Sequence, residues 1–363
     1  MRLKSLDILR GLTVALMILV NNGGHENFSA LEHSKWDGLT PCDLVFPFFL
    51  FMVGMSTFLS LRKYDFRPSA EVFRKIARRT VLLFIIGLAI NWFDMICDGR
   101  GLDFGHLRIW GVMQRIALCY GIVATLAVTL SHRFLLPTVA VLITAYTGIL
   151  IIGNGYAYDA TVNVLAQVDL SLFGYDHLYH KSPVDPEGLL STLSAVAHTL
   201  LGFWCCKKIQ QPGLDVAGKV KFLKLLGFAL MLLALSLSLL GLYPNKRIWS
   251  PAFVFATCGL ASWVLGILIQ YIDREPGKDS QKKSGPLSVL FLSFGMNPLF
   301  LYVMSEALAI VFGAFGIKES AFGLLQGVIT EPRLCSLTYA LLFTALHAVM
   351  GIWMYRKKLF IKI

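Results

Sequence analysis

Histidine is the side chain whose ordinary pKa lets it act as base or nucleophile near neutrality. Residues 20–49, VNNGGHENFSALEHSKWDGLTPCDLVFPFF, hold two of them, His25 and His33. Around them stand Asn21, Asn22, Glu26, Glu32, Trp36, Asp37 and Asp43. An acid such as Asp43 can orient a histidine ring, and an Asn amide can donate to a developing oxyanion. That combination suits acyl transfer. His25, Glu32 and His33 match no standard metal spacing, so no metal is expected. On spacing alone the two histidines are nearly equal candidates.

Four further ionisable groups lie inside apolar runs, where charge is costly and tends to face a cavity. Asp7 and Arg10 in SLDILRG are three apart, hence on one helix face, and can pair. Arg115 lies in LRIWGVMQRIALCY and Glu306 in YVMSEAL. One reading makes Asp7 and Arg10 a structural ion pair. The other places Arg10 and Arg115 at the entrance for an anionic ligand, because guanidinium groups bind phosphate bidentately. His198 and His347 read as hydrogen-bonded packing residues. Gly295, Asn297 and Pro298 interrupt an apolar run, and proline there predicts a kink.

These residues must be positioned by membrane helices. The chain has 363 residues, 56% hydrophobic and 15% charged, beyond what a water-soluble domain of this size carries. Apolar runs long enough to cross a hydrocarbon core centre on 3–22, 43–61, 80–97, 109–130, 134–153, 188–206, 222–243, 249–272, 286–313 and 335–355. The expectation is an all-α polytopic bundle of about ten transmembrane helices, forming one domain over residues 1–363. The first run is full-length and lacks a small-residue cleavage site, so it is expected to stay as the first helix.

Alternate loops sort the cations into 23 on the side holding both termini and 8 on the other. The positive-inside rule then makes both termini cytoplasmic. It also explains the net charge of +11 without nucleic acid. Loops 23–42 and 153–187 face outward, and the basic loop 62–79 faces the cytoplasm, where cations can meet anionic lipid or an anionic ligand. The seven cysteines show no CxxC; Cys42 and Cys97 fall on the outer side, where a pairing is an open question.

Several blocks resemble one family in order along the chain: SLDILRGLTVALMILVNNGG, HSKWDGLTPCDLVFPFFLFMVGMS, LRIWGVMQRIALCY, VDPEGLLSTLSAVAHTLLG, GMNPLFLYVMSE and YRKKLFIKI. They look like the transmembrane acyltransferases of the heparan-alpha-glucosaminide N-acetyltransferase family. The resemblance implies acetyl-CoA as co-substrate, a glucosamine-type acceptor across the bilayer, and a homodimer. It implies that His33, preceding W-D-G, is the active-site histidine and that Asn21 is the Asn ending the first helix; His25 has no counterpart. The lysosomal members' additional lumenal domain and preceding span have no match, which points to a bacterial-type member in an inner membrane. On this reading His33, Asn21 and Asp43 are catalytic, with Asp43 orienting His33. Asp7, Arg10 and Arg115 bind the donor, and Trp36, Asp185 and Glu187 hold the sugar. Two alternatives remain: a transporter lined by Asp7, Arg10 and Glu306, and an O-acyltransferase, since membrane O-acyltransferases also carry an R-G pair in the first helix.

Overall fold

A computed structural model describes residues 3–24, 26–101, 103–273 and 285–361. His25 and the cations Arg2, Arg274, Lys278, Lys282, Lys283 and Lys362 lie outside them. The described chain is helical, with thirteen α-helices and no strand. They are α1 (Lys4–Asn21), α2 (Val45–Leu61), α3 (Ala70–Cys97), α4 (Val112–Thr129), α5 (Leu135–Ile152), α6 (Val164–Phe173) and α7 (Ser191–Ile209). Then follow α8 (Val216–Leu239), α9 (Pro251–Ile272), α10 (Pro286–Met296), α11 (Pro298–Ala314), α12 (Ile317–Gln326) and α13 (Pro332–Arg356).

Each of the ten expected runs coincides with one helix, the ninth being split into α10 and α11. Seven described helices are long and apolar enough to cross a membrane, and α10 with α11 would make an eighth as one broken span. The run of α1 and that of α7 are less apolar, because α1 carries Lys4, Asp7 and Arg10 and α7 carries Lys207 and Lys208. Exposed apolar side chains such as Val81, Ile85, Val141, Phe228, Leu235 and Val349 cover α3, α5, α8 and α13. Facing water they would be costly; facing lipid they lose nothing. The protein is an integral membrane protein.

Helices α1, α2, α4, α7 and α9 form the interior. Small residues let their backbones approach closely. A Cβ on Gly54 would lie 2.0 Å from the Thr199 carbonyl oxygen, and one on Gly202 2.1 Å from that of Phe51, so α2 and α7 touch backbone to backbone. The same holds where α1 meets α10: a Cβ on Gly11 would lie 1.7 Å from the Phe291 carbonyl oxygen. The expected kink is a break. Pro298 starts α11, which turns by 82° from α10, and the Asn297 side chain bonds the chain at Leu359 and Ile361 at 2.9 Å each.

At one end of the bundle the connecting segments 22–44, 98–111, 153–190 and 240–250 lock together. Gly38 N–H donates to the Pro244 carbonyl at 2.8 Å, Ile109 N–H to that of His177 at 3.1 Å, and Trp36 Nε1 to that of Tyr156 at 2.9 Å. Here the site is assembled.

Candidate active site

The local order begins at T-P-C-D. Thr40 caps a short helical turn, Pro41 opens it with its fixed φ, and Asp43 returns its carboxylate to the Thr40 amide, a capping box. One Asp43 oxygen, Oδ2, accepts from the amides of Ser34 and Thr40 at 3.1 Å each. The other, Oδ1, lies 2.8 Å from His33 Nδ1. Asp43 is fully buried, so its carboxylate is fixed by donors on every side and in turn fixes the ring. A proton on Nδ1, aimed at Asp43, leaves the lone pair on Nε2.

The W-D-G-L-T block holds this arrangement from outside. Gly38, at φ +117°, makes a turn that a side chain would strain. Asp37 Oδ1 accepts from Asn245 Nδ2 at 3.3 Å, and Arg247 Nε donates to the Lys35 carbonyl at 3.0 Å. The 240–250 segment is thereby docked on residues 35–38, and it delivers Lys246 to His33. Lys246 Nζ lies 3.1 Å from Nε2, 3.0 Å from Nδ1 and 3.7 Å from Asp43 Oδ1. Burial lowers the Lys246 pKa below that of an ordinary lysine, and Asp43 offsets part of the effect.

His33, Asn21, Lys246, Glu187, Arg108, Asn91, Gln114, Tyr302 and Glu306 line one cavity of about 370 Å³. Asn21 Nδ2 reaches Glu306 Oε1 at 3.3 Å. Arg108 Nη2 bonds Asp185 Oδ1 and Glu187 Oε2, both at 2.9 Å, and its guanidinium covers the Tyr179 ring at 4.6 Å. Burial works against its charge, yet the two carboxylates raise its pKa above the ordinary value. A second hollow of about 400 Å³, lined by Arg100, His106, Asp176 and Lys181, shares Asn91, Arg108 and Tyr179 with the first.

Of the expected site residues, His33, Asn21 and Glu187 face the cavity together, with Asp43 directly behind His33. Asp185 sits one layer back, accepting from the amides of Tyr179 and Glu187 and from Arg108. Trp36 packs edge-on against Tyr158 and among the side chains around Tyr146 and Val184, and is not a cavity wall. Arg115 is fully buried, bonds the Gly188 carbonyl at 2.9 Å and the Ser191 hydroxyl, and lies over Trp249. It ties α4 to the segment 153–190 and to the start of α7, at the end of the bundle where the connecting segments lock together. Asp7 pairs with Arg10 at 3.1 Å, and Arg10 reaches Ser56 at 2.8 Å and the Gly295 carbonyl at 3.4 Å, where three helices close on it. His198 bonds the Pro47 carbonyl and His347 that of Phe343, as packing residues do.

All seven cysteines are free, and the Cys42 sulfur lies 3.1 Å from His33 Nδ1. No group of three or more His, Cys, Asp or Glu among the described residues could hold a metal. Sequence reasoning missed Lys246, Arg108, Asn91 and Gln114. For the two cations a signal existed: they fall on the side where the positive-inside rule depletes charge.

Fold and site together define a class: an all-helical membrane protein with a carboxylate-held histidine and a half-buried lysine at the wall of a polar cavity. Comparison with known proteins shows what the chain is similar to. Residues 2–168 match the family model described as "Heparan-alpha-glucosaminide N-acetyltransferase, catalytic". Along its whole length the chain is 29% identical to the heparan-alpha-glucosaminide N-acetyltransferases of Homo sapiens, over 426 aligned residues, and Mus musculus, over 422. It spans 60% of the length of each. The resemblance read from the motifs is borne out as a similarity along the chain, and Asn21, His33 and Asp43 all lie in the matched segment.

Proposed function

We propose that this protein is a membrane N-acetyltransferase that moves an acetyl group from cytoplasmic acetyl-CoA to the amine of a glucosamine-type sugar on the outer side, in a bacterial inner membrane. The observation that carries it is the His33 geometry. Nδ1 is committed to Asp43, so Nε2 is the working nitrogen, and it faces the cavity beside the Lys246 ammonium. Nε2 either attacks the thioester carbonyl and holds the acetyl group, or takes a proton from the attacking amine. In both routes negative charge grows on the carbonyl oxygen next to Nε2. Lys246 is placed to meet that charge, the part played by an oxyanion hole. Asn21, a candidate to support either the oxyanion or His33 itself, is engaged with Glu306.

The nucleotide of CoA carries phosphates, and the cations of loop 62–79 with the first turns of α3 suit them. The hollow lined by Arg100, His106, Asp176 and Lys181 suits the hydroxyls of a sugar approaching from the other side. The test supplies labelled acetyl-CoA and glucosamine to purified protein in parallel with His33→Ala. Transfer by the wild type, lost in the variant, supports the reading; equal transfer by both sinks it. Label retained on the protein after acetyl-CoA alone, and absent from His33→Ala, selects the acyl-histidine route.

A further inference from the structure

Acetylating an amino sugar removes two protons from nitrogen. The acceptor arrives as an ammonium, must lose one proton to expose its lone pair, and loses the second once the N–C bond has formed. A hydroxyl acceptor loses only one. His33, with a single free nitrogen, accounts for one proton.

The cavity holds two carboxylates that could take the other, Glu187 and Glu306. Glu187 is already neutralised by Arg108 at 2.9 Å. Glu306 forms no ion pair among the described residues. It is held by neutral groups, the Asn21 amide from α1 at 3.3 Å and the Tyr302 hydroxyl from its own helix. The charged group felt from α3 is Asp94, also an acid, and His347 on α13 is occupied by the Phe343 carbonyl. An acid placed at a cavity wall, oriented by neutral donors and without a protein cation, is a site for a cation brought by the substrate.

We propose that Glu306 is the acceptor-selecting base of this cavity: it binds the ammonium of an amino sugar and receives its first proton. The inference rests on the acetyl-transfer reading and deepens it by assigning acceptor specificity. The step balances. One N–H proton passes to the Glu306 carboxylate, and the freed pair on nitrogen forms the bond to the acetyl carbon. The second N–H proton goes to His33 Nε2, the C–S bond breaks with its electron pair leaving on sulfur, and His33 passes that proton to the thiolate. If the acetyl group has first moved to His33, the bond broken is to Nε2, and the departing imidazole takes the second proton. The proton on Glu306 then leaves to water. Asn21 acts through Glu306, as a positioning residue.

The experiment compares wild type, Glu306→Gln and Glu306→Asp with glucosamine and with glucose across neutral and alkaline pH, with acetyl-CoA affinity measured calorimetrically. Glu306→Gln is expected to lower kcat/KM for glucosamine about 10²–10⁴-fold at neutral pH, the usual reach of a general base. The loss should shrink as pH rises and free amine appears, with acetyl-CoA affinity unchanged. Glu306→Asp, which keeps the charge, should retain a measurable part of the activity. Glucosamine kcat/KM within about twofold of wild type in Glu306→Gln overturns the proposal, as does an equal loss at every pH accompanied by loss of acetyl-CoA binding. Absence of transfer by the wild type refutes the acetyl-transfer reading instead. Thermal-shift binding of glucosamine against glucose then decides for Glu306: preference lost in Glu306→Gln upholds it, and preference unchanged overturns it.

Discussion

Helix α1 carries polar groups at both ends, and the two ends have opposite fates. At its start Asp7 and Arg10 pair between α2 and α10, and Arg10 reaches Ser56 and the Gly295 carbonyl, where glycines bring backbones together. At its end Asn21 opens onto a cavity of about 370 Å³ shared with His33, Lys246 and Glu306. Both ends put charge inside an apolar bundle. The first directs its groups to partners on neighbouring helices, whereas the second sets His33 and Glu306 at the wall of a cavity. A closed polar group serves packing; an open one is available for chemistry.

The largest effects should come from the open end. His33→Ala is expected to reduce acetyl transfer by about 10²–10⁴-fold with little change in melting temperature, since the ring is partly exposed. Radiolabel transfer and thermal melting measured on one preparation check both halves. Melting lowered as far as activity would erase the distinction between the ends. Lys246→Met should cost about 10²–10³-fold in kcat, the typical loss for one oxyanion donor. The sign of the pH effect follows from its role. Lys246 must be protonated, so activity is present at low pH and lost as pH rises through a pKa held below that of ordinary lysine by burial. Lys246→Arg, which stays charged, should extend the active range upward, and an unchanged alkaline limb would remove Lys246 from the mechanism.

The closed end makes the reverse prediction. Arg10→Met leaves Asp7 without its guanidinium and should lower unfolding free energy by about 1–3 kcal/mol, while KM for acetyl-CoA stays near wild type. A tenfold rise in that KM at unchanged melting temperature would move Arg10 from the closed class to the open one, and restore it to the donor site.

How much of this was legible in the sequence follows the same division. Hydrophobic run length located eleven of the thirteen described helices, all but the short α6 and α12, because lipid demands continuous apolar surface. Asp7 with Arg10, His33 and Asp43 were visible because each partner lies within ten residues of the other, and Asn21 through its motif. Lys246 was not, because it meets His33 from 213 residues away, through loop contacts of Pro244, Asn245 and Arg247 that no periodicity encodes. Arg115 shows the converse failure. An arginine in an apolar run looked like a ligand site, yet in the structure it bonds the Gly188 carbonyl and Ser191, 73 and 76 residues away in sequence.

Arg115 also leads to the smallest effect, at a second buried polar site. Asp169, in α6, approaches the Gly188–Leu189 peptide, accepting the Leu189 amide at 2.9 Å, while Arg115 binds the Gly188 carbonyl. Burial pushes the Asp169 carboxyl up to about 6, with the Leu189 amide and Arg115 holding it back and Asp185 adding to the rise. The folded protein therefore binds a proton there between the unfolded value near 3.8 and about 6, where the unfolded chain does not. Stability from this group is present at the acid end of that window and falls as pH rises through it. The expected change is on the order of 1 kcal/mol, read as a lower melting temperature at pH 7 than at pH 5. Asp169→Asn should flatten that slope. If the variant keeps the full slope, Asp169 stays charged in the fold, and the site around Gly188 is open to water after all.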